Sequence, residues 1–343
     1  MGDVDVGEWR IRLVEHLKRA GYLKTPAVER AFRTVPRHLF IPPGVTPEEA
    51  YRDEVIPLLP GLATLSQPSI VALMLEELDA RPGMKILEIG TASGYNAALL
   101  AEVAGDPSLV HSVEIEPRLA EQARRNLAAA GYGKVKVKVG DGCLGWPEAA
   151  PFARTMVTAE AAELSPHLLT QLDAKGILLT PFSIPGLPGL LLRLELKGSR
   201  AVGRFIGIPV SFVPLRGEYA GDGRRREAGS HLVQQAMAAT EERAWEEQID
   251  LTLECRLALC LVTAALVEQG KAPPRQVADE AWRRYVAGGK PDLNAIRVSV
   301  CPLAECPSRQ LAFRRRDYAL CLNLPVERNS GEGGESPQRE VMS

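Results

Sequence analysis

Short apolar runs alternate with helical patterns between residues 85 and 180, and this alternation constrains the fold more than any other feature of the sequence. The apolar runs predict five strands, at residues 86–89, 109–113, 135–139, 155–158 and 177–180. Strands that alternate with helices form βαβ units and therefore a parallel sheet. The sequence thus predicts an α/β fold with a doubly wound, mostly parallel sheet.

The first predicted strand leads into a turn, Gly90-Thr-Ala-Ser-Gly94, and the turn leads into an alanine- and leucine-rich helix. A strand, a tight turn and a helix N-terminus together aim backbone N–H groups at a ligand. Gly90 and Gly94 mark positions where a Cβ would obstruct the turn or the ligand. Glu88 directly precedes the turn, where its carboxylate can accept hydrogen bonds from that ligand. The turn alone is equally consistent with small residues that serve packing.

Acidic residues stand at the carboxyl ends of the next two predicted strands. Glu114 ends the second strand, where a carboxylate can bind both hydroxyl groups of a ribose. Asp141, followed by Gly142, ends the third strand and would face an adenine edge beyond that ribose. Because ligands bind at the carboxyl ends of the strands in an open parallel sheet, three such ends in succession predict a nucleoside site.

The turn discriminates between nucleoside cofactors. A dinucleotide favours Gly-x-Gly-x-x-Gly around its pyrophosphate, which residues 90–94 do not supply, and the chain has no Gly-Lys-Ser/Thr phosphate loop. Glu88 would also repel a pyrophosphate, whereas it suits the cationic amino-acid end of S-adenosylmethionine. The sequence therefore favours a methyltransferase over a nicotinamide oxidoreductase.

From about residue 8 to residue 217, the chain resembles protein-L-isoaspartate O-methyltransferases. The matching motifs, in the same order and spacing, are Val35–Ile41, Thr64–Ser69, Leu87–Tyr95, Gly140–Gly142 with Gly145-Trp146, Ala150–Phe152 and Val213–Leu215. The resemblance implies a class I methyltransferase fold, S-adenosylmethionine as the donor, and an isoaspartyl or aspartyl carboxylate of a protein or peptide as the acceptor. It also implies repair of damaged proteins, because the methyl ester collapses to a succinimide.

The resemblance also implies which residues form the site. Ser66 matches the family's active-site serine, and Thr64 matches its neighbour in the same loop. The residues that match the cofactor site are Glu88, Ile89, Gly90, Thr91, Ser93, Gly94, Glu114, Ile115, Asp141 and Gly142. By its position, Ser66 is also predicted to cap the helix that follows it. No metal ligand is assigned.

Three residues depart from the family pattern. Ala92 stands where a second glycine is usual, and we expect so small a side chain to leave cofactor binding intact. Ala153 stands where an aspartate is usual, and Glu160 lies in a run that is normally small and apolar. Both changes are candidates for an altered acceptor side or sheet edge.

Composition and spacing divide the chain into four segments. We predict an N-terminal helical cap at residues 1–60, an S-adenosylmethionine-binding core at 61–217, a C-terminal α+β extension at 218–327 for acceptor recognition, and a disordered tail at 328–343. Late strands are predicted at 190–196, 210–213 and 318–324, and helices at 231–248 and 277–285. The apolar segment 251–267 has no clear period and stays unassigned.

Two other functions remain open. A specialised relative would esterify an aspartate of one dedicated, ribosomally made peptide, and the ester would close to an aspartimide. The extension and the three departures fit such a change of acceptor. A protein of another class would keep the pocket as a non-catalytic nucleoside-binding module, against which the presence of Ser66 argues.

Charge and hydropathy argue against several partners. A formal net charge of −2 gives no electrostatic support for nucleic-acid binding. The acidic N-terminal residues and the lack of an apolar run of ~18 residues predict a cytoplasmic protein without a membrane partner. The sequence leaves the oligomeric state undetermined.

Two pairs of cysteines share one spacing, Cys255/Cys260 and Cys301/Cys306. Four thiolates can bind zinc, but four intervening residues lie at the loose end of the usual ligand spacing. Cys255 and Cys260 also lie in an apolar segment, where cysteine acts as a small hydrophobic residue. The sequence therefore favours buried thiols over a zinc site.

Overall fold

The computed structural model describes residues 6–184, 186–198, 200–221, 231–240, 244, 252–269, 273–306, 311–314 and 317–325. The predicted tail at 328–343 lies outside these residues. Within them, helices flank a ten-stranded sheet, and a two-stranded hairpin lies near the N-terminus.

The N-terminal region consists of helices and the hairpin. Its elements are α1 (Val6–Arg19), α2 (Pro26–Thr34), α3 (Pro47–Ala50), β1 (Ile56–Leu59), β2 (Ala63–Leu65) and α4 (Pro68–Leu78). Thr25 caps α2 by accepting a hydrogen bond from the Val28 N–H, and Thr46 forms a capping box with Glu49 at α3. A 3₁₀ helix at Arg37–Phe40 follows α2.

Five parallel strands form the centre of the large sheet. They are β3 (Ile86–Ile89), β4 (Val110–Glu114), β5 (Lys136–Val139), β6 (Phe152–Val157) and β7 (Leu172–Phe182), and their connections include α5 (Tyr95–Ala104), α6 (Pro117–Ala129) and α7 (Pro166–Thr170). The spatial order is β5-β4-β3-β6-β7, so the chain leaves β3 to one side and later returns on the other. Such a reversal opens a crevice at the carboxyl end of β3.

The C-terminal elements continue the same sheet. They are β8 (Gly189–Lys197), β9 (Arg200–Val210), α8 (residues 231–240), α9 (Leu253–Gln269), α10 (Pro274–Ala287), β10 (Arg297–Pro302), β11 (Ala312–Arg314) and β12 (Tyr318–Asn323). Beyond β7 all pairings are antiparallel, in the order β8-β9-β10-β12-β11. The predicted extension therefore adds strands directly to the edge of the core sheet.

One expectation for this region is corrected, and one open assignment is settled. Of the strand predicted at 210–213, only Val210 lies in a strand, as the last residue of β9, whose ladder with β8 stops at the pair Gly189 and Val210. The unassigned segment 251–267 forms most of α9. Its helical period is hidden because apolar residues such as Leu257, Leu259 and Val262 are buried around much of the helix.

Apolar layers cover both faces of the central strands. Ile86 packs in the layer that contains α1, α2, α4 and α5, whereas Leu87 and Ile89 pack in the layer that contains α9 and α10. Strands that are buried on both faces are typical of parallel sheets. No helix in the described part of the chain is long and apolar enough to cross a membrane. The cytoplasmic location and the lack of nucleic-acid or membrane partners stay predictions.

Candidate functional site

A cavity with an empty volume of about 900 Å³ opens at the carboxyl ends of β3 and β4, beside the start of α5. Its walls come from residues 62–66, α4, the turn after β3, the end of β4 and residues 212–216. Nine of the predicted site residues line it, namely Thr64, Ser66, Ile89, Gly90, Thr91, Ser93, Glu114, Ile115 and Gly142. Glu88, Gly94 and Asp141 do not.

The turn after β3 is held tightly against its neighbours. Gly90 has φ +96°, and a Cβ at this position would collide with the hydroxyl of Thr158. That hydroxyl lies 2.9 Å from the Ile89 carbonyl and 2.8 Å from the Gly90 carbonyl, to which it donates. Glycine is therefore required here both for the backbone angle and for the close approach.

Glu114 lies at the cavity wall with its carboxylate partly engaged. Its Oε2 accepts the Ala92 N–H at 2.8 Å, and its Oε1 accepts the Glu116 N–H at 3.0 Å. A carboxylate offers about four acceptor positions, so two backbone donors leave capacity for the hydroxyl groups of a ligand. The side chain is 5% exposed, and its residual surface lines the cavity.

Glu88 lies behind the turn and does not line the cavity. The structure therefore does not place its carboxylate where the predicted direct contact with the ligand would form. Its Oε1 accepts from Asn96 Nδ2 at 2.7 Å, and its Oε2 accepts from the Ser112 hydroxyl at 2.5 Å. The residue is fully buried. Burial raises the pKa of Glu88 from its ordinary value of 4.5 to about 7, although hydrogen bonds from Ser112 and Asn96 act in the opposite direction. Glu88 holds the start of α5 by its hydrogen bond with Asn96, and Asn96 lines the cavity instead.

Asp141 is also committed to the backbone rather than facing the cavity. Its Oδ1 accepts the Cys143 N–H at 2.8 Å, and its Oδ2 accepts the Glu218 N–H at 2.7 Å. The adjacent Gly142 lines the cavity, where a Cβ would collide with the side chain of Ile89. Asp141 does not line the cavity, and its Oδ2 fixes the chain after residue 216. The adenine contact expected of Asp141 stays a prediction.

Gly94 has a structural position. It is the N-cap residue of α5 with φ +91°, and its Cα packs so closely on α6 that a Cβ would meet Leu127 at 3.0 Å. Gly94 therefore aims the N-terminus of α5 at the cavity without lining it.

The loop that carries Ser66 is fixed by a buried arginine. Arg37 Nε donates to the Ala50 carbonyl at 2.7 Å, and Arg37 Nη2 donates to the Ser66 carbonyl at 2.9 Å. The guanidinium also lies 4.8 Å from the ring centre of Tyr95, which lines the cavity. Burial lowers the pKa of Arg37, and the interactions with Tyr95 act against that shift.

The capping role predicted for Ser66 is wrong. Gln67 occupies the N-cap position of α4, and the Ser69 N–H is satisfied by Asp53 Oδ1 at 2.7 Å. Proline at the first helical position moves the cap one residue beyond Ser66. The hydroxyl of Ser66 is consequently not required by the helix, and Ser66 lines the cavity.

Several cavity residues escaped the sequence-based assignment. Residues 212–216 form one wall and include the cationic Arg216. The motif Val213–Leu215 signalled this segment, but nothing in the sequence indicated that it packs over the turn after β3. Its position is set by Glu160, whose N–H donates to the Val213 carbonyl at 2.8 Å and whose carbonyl accepts the Leu215 N–H at 2.9 Å.

The departures from the family pattern lie in different places. Ala92 lines the cavity with φ +49°. Glu160 does not line it but fixes the wall segment through its backbone. Ala153 lies at the amino end of β6, where its N–H donates to the Lys85 carbonyl. Since ligands bind at the opposite ends of these strands, Ala153 is remote from the acceptor side.

The cavity is compatible with a nucleoside ligand. It combines the carboxylate of Glu114 at the end of β4, Gly142 beside Ile89, and the N-terminus of α5 at the end of the tight turn. Together with the doubly wound sheet, these features define the protein as a class I methyltransferase that uses S-adenosylmethionine.

A family model gives the narrower assignment. The model of the protein-L-isoaspartate(D-aspartate) O-methyltransferase family matches residues 9–219, more than half of the chain, and the chain belongs to this family. The sequence-based predictions of family, fold, enzyme class and cofactor are confirmed.

Named relatives agree with this assignment. The protein-L-isoaspartate O-methyltransferase of Hyperthermus butylicus is 42% identical over 220 residues, which cover 62% of this chain and 90% of that protein. The protein of the same name from Staphylothermus marinus is 44% identical over 216 residues, which cover 61% and 95%. The matched part of this chain thus spans nearly the whole length of these relatives.

Solved structures share the fold. A protein-L-isoaspartate O-methyltransferase superposes with a TM-score of 0.61 at 21% identity, covering 84% of this chain and 96% of that chain. A Plasmodium falciparum protein described as a beta-aspartate methyltransferase, in complex with S-adenosyl-L-homocysteine, gives 0.53 at 23% identity and covers 60% and 98%. The first match covers more of this chain than the family model does, so part of the C-terminal region also has a structural counterpart.

Proposed function

We propose that this protein transfers a methyl group from S-adenosylmethionine to the free α-carboxylate of an L-isoaspartyl residue in proteins or peptides. One observation carries the proposal. The wall that holds Glu114 and the loop that holds Ser66 line the same cavity, so a donor bound at the turn and an acceptor bound at the loop share one space.

The main task of the protein in this reaction is to position the donor methyl group and the acceptor carboxylate. S-adenosylmethionine supplies an electrophilic methyl group when it is bound. The acceptor carboxylate is ionised at neutral pH, because the reference pKa of such a group is about 4, and no general base is needed. The Ser66 hydroxyl is suited to donate a hydrogen bond that orients this carboxylate, while the apolar wall residues Leu65 and Met74 help to exclude water.

The ester then reacts without further help from side chains. The backbone nitrogen that follows the isoaspartyl residue attacks the ester carbonyl, a C–N bond forms, and the bond to the methoxy group breaks. The amide proton leaves with the methoxy group as methanol. The product is a succinimide, and its hydrolysis yields aspartyl and isoaspartyl forms.

A second candidate acceptor is an aspartate of one dedicated peptide, which the C-terminal extension would recognise. The Glu218 N–H is bound by Asp141, and the adjacent Tyr219 hydroxyl donates to Asp317 Oδ2 at 3.0 Å. The C-terminal region is therefore connected to the chain directly after the cavity wall at residue 216. On this basis we retain as a proposal the division into a cap at 1–60, a core at 61–217 and a recognition extension at 218–327.

The deciding experiment compares two peptides of identical sequence, one with isoaspartate and one with aspartate, using the full chain and labelled S-adenosylmethionine. We expect methyl ester and then succinimide from the isoaspartyl peptide alone. Labelling of neither generic peptide, together with esterification of one peptide from a diverse aspartyl panel, would favour the dedicated acceptor. Calorimetric binding of S-adenosylmethionine without transfer to any acceptor would favour the non-catalytic module.

Ser66→Ala tests the acceptor side of the proposal. We expect turnover to fall about 100-fold, the effect typical of losing one hydrogen-bond donor at a reacting centre, while the affinity for S-adenosylmethionine stays unchanged. Ser108→Ala, outside the cavity, is the control. Full turnover by Ser66→Ala would remove Ser66 from the proposed chemistry.

A further inference from the structure

Three cysteine thiols converge on the C-terminal strands, far along the sheet from the cavity. The Sγ atom of Cys321 on β12 lies 3.6 Å from that of Cys301 on β10 and 3.8 Å from that of Cys306, which follows β10. All three sulfur atoms lie within 4.8 Å of one another. Neither Cys255 nor Cys260 belongs to this group, so the set of four thiolates considered from the sequence does not form.

The strand register explains the grouping. Residues that alternate along a strand point to opposite faces of the sheet. Val298, Val300 and Leu320 face the layer that contains α9, on which Cys255 and Cys260 lie. Cys301 and Cys321 occupy the other face, as diagonal neighbours in the ladder that pairs Cys301 with Ala319.

One of the three thiols is buried, and the other two are partly accessible to solvent. Cys321 is 5% exposed, and its neighbours Ala312 and Ala319 are fully buried. Cys301 and Cys306 are half-buried. A small ion can therefore reach the sulfur atoms from the side of Cys301 and Cys306.

Two of the three distances between the sulfur atoms match those of a metal–thiolate site. With metal–sulfur bonds of about 2.3 Å and tetrahedral angles, neighbouring sulfur atoms lie about 3.8 Å apart. The observed 3.6 Å and 3.8 Å agree with this value, whereas a disulfide requires about 2.05 Å. We propose that Cys301, Cys306 and Cys321 form a three-thiolate site for a soft closed-shell cation, Zn²⁺ or Cu⁺.

The two cations would use the same ligands differently. Three thiolates suffice for Cu⁺, which prefers soft sulfur ligands, whereas Zn²⁺ would keep a fourth position for water or another ligand. Either ion would join β10, the residues that follow it and β12, which lie next to the short edge strand β11. A bound ion would therefore cross-link these segments near the edge of the extended sheet.

The test uses the full chain, purified without oxygen, reduced and freed of metal. Co²⁺ serves as a spectroscopic probe for the zinc-type site, and Zn²⁺ and Cu⁺ are each titrated against a chromophoric chelator. We expect one equivalent to bind, sulfur-to-cobalt charge-transfer absorption, and a higher melting temperature on loading, because an ion that binds only the folded state stabilises it. Comparison of the Zn²⁺ and Cu⁺ affinities identifies the preferred ion.

Cys301→Ser and Cys306→Ser test the ligands separately, so the result does not depend on the buried Cys321 tolerating substitution. Each is expected to weaken binding by more than about 100-fold, beyond the loss typical of changes outside the ligand shell. Cys255→Ser is the matched control and should bind like the unaltered chain. Absence of saturable binding, or equal binding by Cys301→Ser and the unaltered chain, would overturn the proposal.

Discussion

The backbone N–H of Ala92 donates to Oε2 of Glu114 at 2.8 Å, and this bond joins the tight turn after β3 to the end of β4. Ala92 adopts φ +49°, in the left-handed region that an L-residue occupies at a cost of about 1–2 kcal/mol. The bond helps to hold the residue there and also orients the carboxylate. The departure from glycine at position 92 is therefore compatible with the turn that the cofactor requires.

Glu114→Ala is expected to weaken S-adenosylmethionine binding by one to two orders of magnitude, or about 1.5–3 kcal/mol, the value of hydrogen bonds to a charged group. Isothermal titration calorimetry measures the change. Glu116→Gln, at a neighbouring residue that does not line the cavity, should bind normally. Unchanged affinity in Glu114→Ala would mean that the ribose lies elsewhere.

Gly90→Ala is expected to abolish measurable cofactor binding, because the new Cβ would collide with Thr158 and distort the turn. Gly131→Ala is a matched control. Gly131 has φ +89°, close to the +96° of Gly90, but nothing lies within 4 Å of a Cβ built there. The control should lose only about 1 kcal/mol of stability from its backbone angle. Equal binding by the two variants, measured by calorimetry, would argue against the close approach to Thr158.

Arg37→Lys should lower the free energy of unfolding by about 3 kcal/mol, since one ammonium group cannot replace the planar fork that binds two buried carbonyls. Turnover should fall more than cofactor affinity, because Arg37 positions the Ser66 loop. Denaturant unfolding and steady-state kinetics measure the two effects. The exposed Arg30→Lys on α2 is the control, and wild-type stability of Arg37→Lys would show that the two carbonyl contacts contribute little.

Glu88 should make stability depend on pH. The folded-state pKa of about 7 lies above the ordinary 4.5, so the folded protein holds this proton more tightly between those values. The resulting stabilisation is fully present below about pH 4.5 and is lost as the pH rises through about 7.

Glu88→Gln carries no charge at any pH and should remove this dependence. Relative to the unaltered chain, its unfolding free energy should increase from about pH 4.5 to about pH 7 and level off above that. Urea unfolding at several pH values gives the difference, and the exposed Glu121→Gln should show none. A difference that stays constant with pH would contradict the raised pKa.

The central strands and the turn after β3 were predictable because their patterns are local. An apolar run followed by Gly90 and Gly94 reports a strand and a tight turn whatever the rest of the chain does. The roles of Glu88 and Asp141 were not predictable in the same way. Whether a carboxylate faces a ligand or accepts backbone N–H groups depends on residues as distant in sequence as Ser112 and Glu218, and no local pattern records those partners.

In the C-terminal region, too, the sequence predicted local properties and the structure decided the arrangement. The apolar composition of 251–267 indicated burial, but only the structure showed that most of this segment is a helix. The shared spacing of the cysteines raised a set of Cys301, Cys306, Cys255 and Cys260 that the sequence did not favour, whereas the β10–β12 ladder places Cys321 beside the first two. By itself, the sequence determined the α/β class and favoured the cofactor, because both follow from short-range patterns. Nine of the twelve site residues assigned with the help of the family resemblance line the cavity. The tertiary structure alone decided which side chains meet across strands, because hydrogen bonds and sulfur contacts between distant segments exist only after the sheet has formed.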